Sequence, residues 1–159
     1  MPTLRCLLVF ILAASVAACS RRPEMCWVCQ REVHDSVRTT LTLDGGRKIV
    51  ACCPRCALHY KEEPDHHVRE VRVTDYAGGG TLPFREAYLV DGSDETPCVH
   101  HYADMADEAK APMQVCYDRC MPSLIAFAAG PAARAFSADH GGTIYPPGGF
   151  PEPRPKTAR

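Results

Sequence analysis

The sequence predicts an α+β chain of two small ββαβ-like lobes, each with a short antiparallel sheet and one helix. Three observations predict it. Short runs of alternating polarity are closed by glycine turns, two helical stretches open on proline, and Gly78-Gly79-Gly80 separates the halves. The first lobe, residues 25–77, takes a zinc-ribbon or treble-clef-like form because cysteine pairs flank its hairpin. Residues 78–82 form the linker and 83–150 the second lobe, and the proline-rich tail 151–159 has too little apolar content to fold.

Within the first lobe, residues 37–43 alternate apolar and polar side chains, Asp44-Gly45-Gly46 is a hairpin signal, and residues 48–52 return as the second strand. Pro54 suits the first turn of a helix whose residues 55–63 carry Ala57, Leu58 and Tyr60, and Pro64 stops it. Val68, Val71 and Val73 mark a β-branched strand returning to the sheet. Beyond the linker, residues 85–90 read as a strand closed by Asp91-Gly92-Ser93. Leu124, Ile125 and Phe127 lead into a helix over residues 131–139, opened by Pro131 and ended by Gly141-Gly142, and Thr143-Ile144-Tyr145 forms the last strand. Each half ends in helix then strand, the pattern of a weak internal duplication.

The amino-terminal residues carry a different signal. Arg5 precedes an apolar run from Cys6 to Ala18, too short for a membrane span of about 20 residues but suited to a secretory leader over residues 1–18. It ends Val16-Ala17-Ala18-Cys19, which resembles the lipobox in which the cysteine is diacylated and becomes the first mature residue. The bland alternative is an ordinary small-residue cleavage site with Cys19 a bystander. With its lipid, the chain would be anchored at the periplasmic face of a membrane by the tether 19–24, and Ser20 permits the outer membrane in a double-membraned host.

Loss of Arg5 with the leader takes the formal charge from −1 to −2, and the remaining charges are mixed, so nucleic acid has no electrostatic footing. Partners are expected to be ions and proteins. The sequence shows no paired carboxylates suited to acid/base work, no nucleophile motif and no phosphate loop, so no enzyme is expected.

The chemistry lies in the thiols. Among ten cysteines, Cys26-x2-Cys29 and Cys53-x2-Cys56 have the spacing of a four-thiolate metal site, with Cys56 on a helix whose amino terminus favours the ionised form. Cys52 adjoins Cys53 and, continued as a strand, points the other way; spacing selects Cys53. A second group comprises Cys98 with His100 and His101, then Cys116-x3-Cys120-Met121, where helical spacing would put both sulfurs on one face. Thiolate and thioether donors together select Cu(I). A Cys116–Cys120 or Cys98–Cys120 disulfide competes for the same atoms in an oxidising compartment. His34, His59, His66, His67 and His140 are read as solvated or capping residues, with His59 the nearest to a ligand position.

From Cys19 to Tyr145 the chain resembles the NosL-type accessory lipoproteins of nitrous oxide reductase. The resemblance is carried by the lipobox, Cys26-Trp27-Val28-Cys29, Val50-Ala51-Cys52-Cys53, the run Ala87-Tyr88-Leu89-Val90-Asp91-Gly92-Ser93, the stretch 122–127, Ala135-Phe136 and His140-Gly141-Gly142. It implies two small α/β lobes and a Cu(I) chaperone that helps load the reductase's copper centres. Gln30-Arg31 stands where such proteins carry a Gly-Met pair, and Cys120 or Met121 falls near their second-lobe methionine, as in a divergent branch that exchanges thioether for thiolate.

The leading expectation is a lipid-anchored Cu(I) metallochaperone that passes metal to a protein partner. The alternatives are a structural zinc-binding interaction module closed by Cys26, Cys29, Cys53 and Cys56, and a thiol-disulfide protein using Cys26-x2-Cys29.

Overall fold

The computed structural model describes residues 23–98, 105–106, 112–113 and 119–151. The leader, Cys19, His100, His101, Cys116 and most of the tail lie outside the described residues.

Strands β1 (Thr39–Leu43) and β2 (Lys48–Ala51) form the expected hairpin, with Thr39, Leu41 and Leu43 facing inward. Helix α1 (Pro54–Glu62) follows with proline in its first turn and buries Cys56, Ala57, Leu58 and Tyr60. β3 (Val68–Thr74) returns antiparallel to β1 on the side away from β2. Here the glycine run departs from a simple linker. Gly78 to Gly80 complete a turn that brings β4 (Thr81–Pro83) back against β3, held by Asp75 N–H donating to Gly80 O at 2.7 Å. The first sheet therefore runs β2-β1-β3-β4.

The strand expected over residues 85–90 starts late. Pro83 introduces a 3₁₀ turn (Phe84–Glu86), closed by Ala87 N–H on Phe84 O, and only then does β5 (Tyr88–Asp91) begin. Two short paired strands, β6 (Met105–Ala106) and β7 (Pro112–Met113), lie in the insert that follows. β8 (Leu124–Phe127), helix α2 (Gly130–His140) and β9 (Thr143–Tyr145) complete the chain's second sheet, β8-β5-β9, again antiparallel throughout.

The two halves repeat one topology. In each, the first strand is central, the second flanks it, and the strand after the helix pairs on the other side. This is the ββαβ-like α+β architecture of two small sheets and two helices.

Every residue of β8 is buried because both its faces are covered. Ile125 and Phe127 pack with Ala133 and Phe136 under α2, whereas Leu124 and Ala126 join Leu58, Val73, Phe84 and Leu89 between the halves. Alternation along a strand sends neighbours to opposite faces, so a run of four buried residues identifies a central layer. Phe150, adjoining the expected tail, is buried against Phe84 and Tyr145. At the other end, Glu24 is no free tether, since it pairs with Arg38 at 2.6 Å and its carbonyl accepts from Val33 N–H.

Polar contacts also lock the halves together. Arg55 on α1 bonds to Asp91 on β5 and donates from Nε to Pro122 O at 3.0 Å. Tyr76 N–H donates to Ala126 O at 2.9 Å, and Asp75 Oδ1 accepts from Ala128 N–H at 3.1 Å.

Candidate metal centre

Residues 26–29 fold as a tight knuckle. Gln30 N–H donates to Cys26 O at 3.0 Å, Cys26 N–H to Arg31 O at 2.7 Å, and Val28 N–H to Cys26 Sγ at 3.4 Å. A donor aimed at sulfur stabilises the thiolate a metal needs. Trp27 N–H bonds to Val50 O at 2.9 Å, which holds the knuckle beside the end of β2.

Cys52 and Cys53 occupy the bend between β2 and α1, with Cys53 as the helix N-cap in extended conformation. The strand ends at Ala51, so the alternation that would have pointed Cys52 away no longer applies. Cys52 lies at the centre of the sulfur cluster. Its Sγ is 3.4 Å from Cys29, 3.5 Å from Cys120, 3.7 Å from Cys56 and 3.9 Å from Cys53. Cys120 also lies 3.6 Å from Cys56 and 4.0 Å from Cys29.

Two groups of four have sulfurs all within 4.8 Å of one another: Cys26, Cys29, Cys52 and Cys56, and Cys52, Cys53, Cys56 and Cys120. Cys53, the choice on spacing, belongs to one group; Cys52, passed over on the assumption of a continuing strand, belongs to both. Of the expected second-lobe group, Cys116 lies outside the described residues. Cys120 turns into the first cluster, and Cys98, outside both groups, packs against it with its thiol donating to Cys52 O at 3.0 Å. Met121 is half-buried and in neither group.

The insert between β5 and β8 delivers Cys98 and Cys120. It is fastened where it leaves and re-enters the sheet by Gly92 N–H on Ser123 O and by the buried Ser93–Ser123 hydroxyl pair at 2.8 Å. Arg31 Nη1 donates to Cys98 O at 3.3 Å and lies 3.6 Å from Cys120 Sγ.

No disulfide joins the seven described cysteines, and Cys29 alone among them is not buried. Their ionisation is uneven. Cys120 is pulled down to about 3, chiefly by the Cys52 thiol bonded to it, and Cys26 is likewise held low by Cys52. Cys53 also stays well below the usual thiol range, through Cys120 first. Cys52, Cys56 and Cys98 are pushed up as donors to Cys120, and burial pushes Cys29 up to about 11. Thiolates and thiols are thus interleaved in one buried basin, with the Arg31 guanidinium and the amino terminus of α1 on its border.

None of the described histidines enters either group. His59 pairs with Glu62 at 3.7 Å, His66 stacks on Tyr60 at 3.8 Å between ring centres, and His140 bonds Asp94 at 3.0 Å. Next to the knuckle, Trp27, Val28, His59, Tyr60, His66 and Arg119 line an open cavity of about 350 Å³.

The thiol set has the composition and spacing to hold a metal ion. At a zinc–sulfur bond of about 2.3 Å, the sulfurs of a tetrahedral site lie about 3.8 Å apart. The separations from Cys52 bracket that value. No family model matches the chain, and no curated protein matches it. Among solved structures, the chain is similar to the copper chaperone NosL from Shewanella denitrificans, with 17% identity over 77% of this chain and 86% of that one, at a TM-score of 0.53. At that identity the likeness shows a shared NosL-like fold.

Proposed function

We propose that this chain is a lipid-anchored, extracytoplasmic Cu(I) metallochaperone, held at the periplasmic side of a membrane through Cys19. The observation that carries the reading is the convergence of six thiols from three separate segments, with no hard oxygen donor among them. Soft thiolate surroundings favour Cu(I). The NosL-like fold supports the same reading, since the similar solved protein is a copper chaperone. Half-exposed Cys29 on the knuckle is the exchange point where a receiving protein would displace the first ligand. A nitrous oxide reductase-like enzyme is the proposed recipient, and the chain itself performs no catalysis.

The test is anaerobic titration of reduced protein with Cu(I) against a chromophoric chelator. Tight uptake, reduced in Cys52→Ser and Cys56→Ser variants, is expected; no Cu(I) uptake by folded protein would end the reading. Acylation is checked separately by mass spectrometry of the membrane fraction, where Cys19→Ala should lose both the lipid and the membrane association.

One observation favours a second reading. The near-tetrahedral sulfur spacing also suits structural zinc. In that case the protein would retain zinc as isolated and unfold on its removal.

A further inference from the structure

The two sulfur groups overlap, and the overlap has a stoichiometric meaning. They share Cys52 and Cys56, whose sulfurs are 3.7 Å apart, close to the edge of a tetrahedral thiolate site. Cys26 and Cys29 complete one group, and Cys53 and Cys120 complete the other.

We propose that the basin holds two soft, filled-shell divalent ions as one binuclear cluster, bridged by the thiolates of Cys52 and Cys56. The inference rests on the metal-binding part of the proposed function and specifies its site. Two four-coordinate ions require eight metal–sulfur bonds, and six thiolates supply them when two of the six bridge. Cys26 and Cys29 are the terminal ligands of one ion, and Cys53 and Cys120 those of the other.

Charge favours sharing. Four thiolates around one divalent ion carry −2, and six thiolates around two divalent ions carry the same −2, so the second ion enters without increasing the buried charge. Loading releases the remaining thiol protons to solvent, and no electron transfer is involved. Arg31, 3.6 Å from Cys120 Sγ, offsets part of the residual charge. Cys98, engaged with the Cys52 carbonyl, orients a bridging residue without ligating.

The experiment titrates the anaerobic apoprotein with cadmium-113 and follows it by native mass spectrometry and cadmium NMR. Two ions per chain and two resonances split by mutual coupling through shared sulfur are expected. Cys29→Ser and Cys53→Ser should each lose one ion. Saturation at one ion, or two resonances without mutual coupling, would overturn the bridged cluster. If a terminal-ligand variant fails to fold, the coupling in the wild-type chain still decides.

The same titration with Cu(I) separates this inference from the broader reading. One cadmium ion per chain, with Cu(I) still taken up, sinks the cluster and leaves the chaperone standing. Two coupled cadmium ions with no Cu(I) uptake do the reverse.

Discussion

Gln30 holds a left-handed backbone at φ 60°, directly after the second cysteine of the knuckle, where the turn must reverse for its N–H to reach Cys26 O. A side chain there costs about 1 kcal/mol that glycine would not. Gln30→Gly should therefore stabilise the reduced protein by about 1 kcal/mol, read from denaturant midpoints; an unchanged or lower midpoint would contradict it. Ionisation gives a second prediction at this scale. Cys29, pushed up to about 11, still carries its proton at neutral pH and must release it to a metal, whereas Cys120, held near 3, has none to lose. Metal affinity should then fall as pH falls, by about tenfold per unit for each proton displaced. Chelator competition across pH 6 to 8 measures it, and a flat profile would refute it. Residue identity and spacing made Cys26, Cys29, Cys53 and Cys56 legible as metal candidates. Cys52 was not, because its orientation depends on β2 ending one residue earlier than its β-branched pattern suggests.

Helix α2 is positioned by a close approach at its carboxyl end. Gly142, at φ 93°, passes so near β5 that an added Cβ would lie 2.8 Å from Val90 and 3.0 Å from Asp91 O. Gly142→Ala should cost about 1 to 3 kcal/mol through both overlap and backbone strain. Thermal unfolding checks this, and a neutral substitution would show that β9 enters differently. On β8, Phe127 is 1% exposed and packs against Tyr76 and Phe136. Phe127→Ala should cost about 3 to 5 kcal/mol. At this scale the sequence was most informative. The β1–β2 hairpin, both proline-led helices and β9 follow from local periodicity and turn chemistry. β4 escaped because three residues with a proline give almost no periodic signal, and only pairing with β3 makes them a strand.

Across the whole molecule, Arg55 joins α1 of the first half to Asp91 and Pro122 of the second, with both charged side chains largely covered. Arg55→Ala should lower stability by about 2 kcal/mol, as a covered carboxylate loses its partner. Asp91→Asn, which keeps an acceptor, should lose less. If both variants matched the wild type in denaturant unfolding, this junction would contribute nothing to cohesion.

What the sequence by itself determined is the β1–β2 hairpin, the two helices, the repeated helix-then-strand ending and a thiol-rich composition suited to a metal. These depend on contacts a few residues apart. Only the tertiary structure decided that Cys120 joins the cluster formed by the first-half cysteines. Cys120 reaches Cys52 across 68 residues of chain, brought there by an insert anchored through the buried Ser93–Ser123 pair and Arg31. No local spacing encodes that meeting. It follows from burying the apolar faces of α1 and β8 against each other, which brings the mouth of the insert over the end of β2.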